Sequence, residues 1–571
     1  MEVAAGEHVP WAIAPRVGEP ERALLGVDSL LSAQLLWNRG VRTAEEACAF
    51  LDPAGADSLA DPWLMRGMRG AVDRLEEALR KSERIAVHGD YDVDGIAGAA
   101  VLVEALRGLG GDVLVHLPNR ARDGYGINPT ALHRIAAEGA SLMVTVDCGI
   151  SANREVELAR DLGIDVVVTD HHTVPAQLPA ACAVLNPHQE GCAYPFKQLS
   201  GGGVAFQVAR ALLRDVLSAE EVTRRLERLA VHATLSTIAD IVPLTGENRT
   251  IVAAGLAGAR AGRVPGLQAL CELAGRPLDR LTADDLAFMA IPRLNAPGRM
   301  ADPTDAFDLL VAQDIEEARS IAPRLEILNM ARREAVKDLL LAIDEEACRY
   351  VGDGALVLAG DYPVGLMGLL AARLAERFNM PSVVIERGEE MSRGSARGVE
   401  GVHLVRALEQ CASRLVQYGG HERAAGFTVR SEDIDAFRTL FGSAVRAMRE
   451  DQIVEPGLHA DAGLRLTSIG VRLAELLDRF EPVGAGNPRP TFVSRGVIVQ
   501  RAQELDGGHV RLRLAQGTAV CRGIAFRPIF PVPEPGTPID ILYEVERSWW
   551  RDEARIELVI RDARPAEVKT A

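Results

Sequence analysis

Between residues 84 and about 187, short apolar runs alternate with longer stretches whose apolar residues recur every three or four positions. The runs are 85–87, 113–115, 142–146, 166–168 and 183–185, and the stretches between them include 97–106 and 154–162. Runs of this length read as buried strands, and the intervening period reads as helix. Strand and helix in alternation predict a parallel sheet covered on both faces. A second, shorter alternation follows: strands at 355–358 and 381–385 flank a helix at 368–378. Between the two lies an all-helical stretch, with residues 318–340 as one long helix that Pro323 breaks early. Beyond residue 455 the pattern changes to short strands at 491–493, 497–499, 510–514, 539–545 and 555–560, which suggests a small barrel. Residues 20–80 read as a helical lead-in, with helical spacing at 30–37 and 71–79.

The fold class expected is therefore α/β: a parallel-sheet lobe and a second α/β lobe joined by a long helix, followed by a C-terminal β-barrel. The expected division is a lead-in over 1–80, a first lobe over 81–250, a helical connector over 251–345, a second lobe over 346–450 and the barrel over 455–565. At 571 residues the chain has room for several such domains.

The polar residues cluster where the predicted strands of the first lobe end. His88-Gly89-Asp90-Tyr91-Asp92-Val93-Asp94-Gly95 follows the first run, Asp147-Cys148-Gly149 a later one, and Asp170-His171-His172 the next. Open α/β sheets bind ligands at their strands' carboxyl ends. In extended chain, residues two apart point the same way, so Asp90, Asp92 and Asp94 are expected to converge. Converging carboxylates repel one another unless a cation neutralises them. An acidic turn in water explains any one of these motifs; several on one sheet edge favour metal. Asp240 adds to the set, because a carboxylate in the apolar stretch 236–243 is costly unless paired or bound to a cation.

Composition narrows the partners. A net charge of −17 argues against broad, non-specific nucleic-acid binding, although a narrow basic groove on an acidic body is compatible with it. With aromatics at 4%, any base-stacking surface is small. The eight cysteines form no Cys-x-x-Cys pair, which points away from zinc knuckles and disulfide frameworks. No apolar run is long enough to span a bilayer, and the first residues show no export signal, so a reducing cytoplasm is the expected location.

These motifs, with Pro118-Asn119-Arg120, Gly124-Tyr125-Gly126, residues 237–244, Pro292-Arg293-Leu294-Asn295-Ala296-Pro297-Gly298-Arg299-Met300, Gly394-Ser395-Ala396-Arg397, Gly419-Gly420-His421 and Gly484-Ala485-Gly486-Asn487-Pro488, occur in one order over nearly the full length. The chain in this respect resembles the DHH phosphoesterase superfamily and, within it, the RecJ-type single-strand-specific 5′→3′ exonucleases. It departs from the family pattern at Ala97-Gly98, where a hydroxylated pair is usual, at Ser236 for a usual Gly, around Tyr362, and at Gly398 for a usual Ser.

The resemblance implies a metal-dependent exodeoxyribonuclease of DNA repair and recombination. It would use two divalent cations, Mn2+ or Mg2+, and release 5′ mononucleotides without a covalent intermediate. The oxygen-rich donor set suits those ions. The implied ligands are His88, Asp90, Asp92, Asp94, Asp147, His171 and Asp240, with Asp147 as the bridge. Among these, Asp92, Asp94 and Asp147 count with His172 as catalytic, His172 stabilising phosphoryl charge or protonating the leaving oxygen. Arg120, Ser395 and Arg397 are expected to bind a terminal 5′ phosphate, Tyr125 a base or sugar, and His421 the substrate. The barrel is expected to be an oligonucleotide-binding fold, in which Arg511, Arg513, Trp549, Trp550 and Arg551 supply charge and stacking. Single-stranded DNA with a 5′ phosphate is the expected partner. The resemblance adds a helicase and a single-strand-binding protein, and the chain is expected to be a monomer with no membrane association. Two other readings compete: a DHH phosphodiesterase acting on short oligoribonucleotides or cyclic dinucleotides, and a non-catalytic DNA-binding scaffold. Chain length argues against the first, and the complete ligand set argues against the second.

Overall fold

The computed structural model describes residues 10–53, 55, 58–119, 126–214, 216–350, 353–450, 457–550 and 553–566. The chain divides into two compact units. One comprises 60–240 with 254–454, and the other comprises 1–59, 241–253 and 455–571.

In the first unit, strands β1 (Arg84–Gly89), β2 (Asp112–His116), β3 (Leu142–Val146), β4 (Asp165–Thr169) and β5 (Ala183–Leu185) form one sheet in the order β2-β1-β3-β4-β5. Every pairing is parallel, as continuous apolar runs require. The chain steps outward from β1 to β2 and then crosses back to β3. The crevice between the carboxyl ends of β1 and β3 is therefore the switch point of the sheet.

Helix α1 (Val93–Gly108) begins four residues earlier than its apolar period suggests. The cause is Asp92, whose Oδ1 accepts from the backbone N–H groups of Asp94 and Gly95 at 3.0 and 3.3 Å. Asp94 thus stands in the first turn of a helix and not in extended chain. The aspartates converge through a strand-to-helix turn rather than by strand alternation. Helices α2 (Gly201–Arg214) and α3 (Ala219–Ala239) pack on α1. Their approach is close: a Cβ on Gly98 would lie 2.6 Å from Val146 Cγ1 and 2.8 Å from Gly202 Cα.

The connector ends in α4 (Ile315–Arg349), capped by Asp314, whose Oδ1 accepts from Glu316 and Glu317 N–H. Pro323 lies inside this helix and does not interrupt it, contrary to the break its sequence suggests. Two of the faces of α4 pack on the helix Pro265–Leu273 and the helix Ile291–Met300, so tertiary burial outweighs the lost hydrogen bond. Beyond it, β6 (Leu356–Gly360), α5 (Val364–Phe378), β7 (Ser382–Glu386), β8 (Met391–Arg397), β9 (Leu415–Gly420) and β10 (Ala424–Arg430) build a mixed sheet in the order β9-β10-β8-β7-β6. Gly394-Ser395-Ala396-Arg397, a loop by composition, is the end of strand β8.

In the second unit, β11 (Thr491–Leu505), β12 (His509–Gln516), β13 (Ala519–Ala525), β14 (Pro538–Trp550) and β15 (Glu553–Pro565) run in the order β11-β12-β13-β15-β14, and β11 also pairs with β14. That pairing closes the barrel and removes its edges. Helices Leu30–Asn38 and Ala44–Leu51 share its core, with Leu35, Leu36 and Phe50 packed among Phe480, Phe492 and Tyr543. Arg249 is 2% exposed and spends all five of its N–H groups on carbonyls, those of Phe50, Arg479, Phe480, Glu481 and Pro482, at 2.7 to 3.1 Å. Asn487, of the Gly-Ala-Gly-Asn-Pro run, donates to Phe480 and Pro482 carbonyls and accepts from Arg39, so that run is structural. Among the described residues no helix is long and apolar enough to cross a membrane.

Candidate metal centre and phosphate cleft

Five aspartates and a histidine meet at the switch point. His171 Nε2 lies 3.1 Å from Asp147 Oδ1 and 3.6 Å from both Asp94 Oδ2 and Asp240 Oδ2. Donor atoms of Asp94, His171 and Asp240 form one group within 4.8 Å of one another; those of Asp90, Asp92 and Asp147 form a second, and those of Asp147, His171 and His172 a third. Asp147 belongs to two of the three. His88 belongs to none of them. It is buried, and its Nδ1 stands 2.9 Å from Nδ1 of His116.

Each side chain is held by a local cause. Asp147 follows β3 with φ of 63°, a left-handed conformation costly for a residue with a Cβ. A Cβ on Gly201 would lie 2.5 Å from that of Asp147, so the chain there must be glycine for Asp147 to sit where it does. Asp94 is gripped by the start of α2: Gly201 N–H donates to Oδ2 at 2.9 Å and Gly202 N–H to Oδ1 at 2.8 Å. Backbone N–H groups at a helix start favour an anion in this position. Ser236, the departure from the family's glycine, donates its hydroxyl to Asp94 Oδ1 at 2.5 Å. Asp240 caps the C-terminus of α3, where the helix dipole disfavours a carboxylate and a cation would offset it.

The charges are unbalanced without a cation. Burial, then the neighbouring Asp94 and Asp92, pushes the Asp147 carboxyl well above its ordinary range. The same causes raise Asp240 to about 8. Asp92 is raised by burial and by Asp94. Burial lowers His171 to about 4, so its imidazole is neutral at physiological pH, as a metal ligand must be. Its Nε2 is buried and makes no hydrogen bond among the described residues. An oxygen-rich pocket with one neutral imidazole and excess negative charge fits divalent cations of the Mg2+ and Mn2+ type.

His172 has a different environment. Asp170 Oδ1 takes its Nδ1–H at 2.7 Å and the backbone N–H groups of His171 and His172 as well. Burial opposes charge on the ring, but Asp170 outweighs it and raises His172 to about 9. The same contact, with Ile150 N–H on Oδ2, holds Asp170 low although burial would raise it. His421, just beyond β9, stacks on His172 with ring centroids 5.4 Å apart. The register places His421 beside Ala424, whose neighbour across β10 and β8 is Arg397. Arg397 donates to Ser395 Oγ at 3.2 Å, two positions back on the same strand face. Arg120, Tyr125, Arg551 and the side chains of Trp549 and Trp550 lie outside the described residues. Arg511 and Arg513 are both exposed on barrel strand β12.

Several contributors carried no assignment from the sequence. Asp170 orients His172. Asn295 Oδ1 accepts from Val93 N–H at the start of α1, and Gly298 lies against the carbonyl of Tyr91. Arg299 draws Asp92 down electrostatically and donates to the Gly365 carbonyl. The motif at 292–300 was visible in the sequence, yet its role needed the fold that brings it against residues 91–93.

Comparison with known proteins identifies the family. Residues 84–237 match the DHH family N-terminal domain, 352–447 the DHHA1 domain and 460–562 the RecJ OB domain. The single-stranded-DNA-specific exonuclease RecJ of Dickeya dadantii is 36% identical over 568 residues, covering 94% of this chain and 97% of that protein. Its namesake in Escherichia coli is 35% identical over 560 residues, covering 94% and 96%. The crystal structure of RecJ in complex with Mn2+ from Thermus thermophilus superposes with a TM-score of 0.81 at 29% identity, covering 98% of this chain and 80% of that one. With its parallel-sheet lobe, its second α/β lobe and its closed five-stranded barrel, the chain belongs to the RecJ family of the DHH superfamily.

Proposed function

We propose that this protein is a metal-dependent, single-strand-specific 5′→3′ exodeoxyribonuclease. The observation that carries the reading is the carboxylate cluster built around Asp147, joined through His172 to the second lobe. Asp90, Asp92 and Asp147 would hold one cation, and Asp94, Asp147, His171 and Asp240 the other, Mn2+ or Mg2+. Cations bound there supply Lewis-acid charge stabilisation at the scissile phosphate.

The chain's own residues do the rest. Asp170 fixes the His172 ring by its Nδ1–H and keeps it protonated near neutral pH. The Nε2–H then donates to the phosphoryl oxygens or the departing 3′ oxygen. Ser395 and Arg397 offer a hydroxyl and a planar fork, a combination suited to a terminal phosphate dianion. Arg120 belongs to the same proposed pocket, and Tyr125 to the first sugar or base. Holding the 5′ phosphate there would set polarity and release one 5′ mononucleotide per cut. A helicase and a single-strand-binding protein would supply the single strand, in the cytoplasm, to a monomeric enzyme in repair and recombination.

The test is digestion of 3′-labelled single-stranded DNA bearing a 5′ phosphate, with Mn2+ or Mg2+, beside Asp147→Ala. Stepwise shortening from the 5′ end that disappears in the variant is expected. Cleavage confined to di- to tetranucleotides would replace this reading with that of an oligonucleotide phosphodiesterase. Binding without cleavage in both proteins would make it a scaffold.

A further inference from the structure

Helix α4 packs along one stripe. Ala318, Ile321, Ala322 and Leu325 are buried in its first half, where Glu326 pairs with Arg293 of the helix Ile291–Met300 and Arg319 with Glu272 of the helix Pro265–Leu273. Val336, Leu339, Leu340, Ile343 and Ala347 continue the stripe onto α5 and β6. Steps of three and four residues from Leu325 to Val336 fall on positions 329 and 332, where an apolar residue would complete the face. The chain has Asn329 and Arg332 there.

These two residues are not partnered as buried polar groups elsewhere in the chain are. Asn329 is 2% exposed, and its Oδ1 accepts from Arg332 Nη2 at 2.9 Å. Among the described residues no carboxylate pairs with Arg332, which is half-buried, and its Nε is enclosed without an acceptor. Other guanidiniums held away from water are matched: Arg74 meets Glu83 at 2.6 Å, Arg228 meets Glu104 at 2.7 Å, and Arg249 has its five carbonyls. The charges nearest Arg332 are those of Arg333 on α4 and Arg373 on α5, and both repel it. A guanidinium does not shed its proton under such pressure, so the charge stays. A cation withdrawn from water among like charges is costly until an anion joins it.

We propose that Asn329 and Arg332 form a phosphate subsite on the connecting helix, in which Arg332 binds an internucleotide phosphate of the single strand and Asn329 orients its guanidinium. A guanidinium has five N–H donors in a planar fork, and Asn329 takes one, which leaves the fork for a phosphate. A single guanidinium with no hydroxyl beside it suits the single charge of a diester rather than a terminal dianion. The place suits a strand that lies over the metals. The helix Ile291–Met300, against which the first half of α4 packs, also reaches the metal motif through Asn295 and Gly298. Packed helices lie about 8–10 Å apart, so the subsite is within a few nucleotides of the cluster. The inference rests on the single-strand reading above.

The test uses the full chain and single-stranded DNA in the presence of a chelator, so that binding is read without cutting. Affinity is measured by fluorescence anisotropy over a range of salt concentrations. Arg332→Gln is expected to weaken binding about tenfold at low salt. It should also lower the slope of log K against log salt by about 0.7, as one lost phosphate contact on a single strand does. The loss should be equal for strands with a 5′ phosphate and with a 5′ hydroxyl. Arg332→Lys should keep the slope, and Asn329→Ala should weaken binding with the slope kept. R332Q should melt no lower than the wild type, because it removes an unpaired charge. An unchanged affinity and slope in R332Q, or a lower melting temperature with the slope unchanged, would overturn the proposal and make Arg332 a packing residue. A loss confined to the 5′-phosphorylated strand would also overturn it, by moving Arg332 to the end-binding pocket. Inorganic phosphate is the second probe: if it raises the melting temperature of the wild type and not of R332Q while the strand's slope is unchanged, the site takes the free ion and the proposal fails. A wild type that binds no strand at all would defeat the single-strand reading itself, and the phosphate arm would then decide whether the anion site exists.

Discussion

Ser236 Oγ donates to Asp94 Oδ1 across 2.5 Å, and the same hydroxyl accepts from Gly202 N–H at 3.0 Å. A residue that departs from the family pattern therefore adds a hydrogen bond to a metal-site carboxylate. Ser236→Ala removes it while Gly201 and Gly202 keep theirs. The expected loss is about 1 kcal/mol of stability and about tenfold in Mn2+ affinity. Urea unfolding and Mn2+ titration measure the two, and unchanged affinity would make Ser236 mere packing.

Removing metal leaves the cluster to its own repulsion. Asp240 titrates near 8 in the fold against an ordinary 3.8, so between these values the folded state binds more protons than the unfolded one. Stability then falls as pH rises. His172, raised to about 9, acts in the same direction: its contribution is complete below 6.5 and is lost on the way to 9. His171, lowered to about 4, opposes them only below 6.5. The metal-free protein is therefore expected to melt at progressively lower temperature from pH 6.5 to 8.5. Added Mn2+ should raise the melting temperature most at the alkaline end. A flat or rising metal-free profile by calorimetry would contradict the assignment.

Gly98 stands where the family has a hydroxylated residue, at the crossing of α1 with α2. The nearest obstacles to a side chain are Val146 Cγ1 at 2.6 Å and the backbone of Gly202 at 2.8 Å. Backbone cannot swing aside, so Gly98→Ser is expected to destabilise by about 1–3 kcal/mol. Thermal unfolding of that variant tests whether the departure is fixed by packing, and a neutral result would show that α2 can shift.

Arg249 ties the segment Ile241–Ala253 to the helix ending at Leu51 and to the turn at 479–482 of the barrel unit. Burial lowers its pKa to about 10, still well above physiological pH, so it remains charged. Arg249→Met removes one donor from each of five carbonyls, of which those of Phe480 and Pro482 keep Asn487, and Arg249→Lys can serve three at most. The methionine variant is expected to cost about 3 kcal/mol or more, the lysine variant less. Limited proteolysis of the barrel unit, followed over time, would show which order holds.

Much of this was legible in the chain itself. Continuous apolar runs of three to five residues read as strands buried on both faces, and their alternation with helices predicts a parallel sheet. Because such a sheet places every strand's carboxyl end on one edge, Asp90, Asp147 and His171 were bound to be neighbours whatever the details. The tertiary structure decided what depends on atoms distant in sequence. Asp94 faces the cluster because Gly201 and Gly202, more than a hundred residues later, supply two N–H groups to its carboxylate. Ser395 and Arg397 read as a loop because glycine, serine and alanine carry no strand period; hydrogen bonds from β7 and β10 made it a strand. Pro323 reads as a break because local propensity is all the sequence displays, while the packing that keeps α4 continuous comes from helices elsewhere. His88 stands beside His116 only because β1 and β2 pair in register, a contact that no local sequence pattern displays.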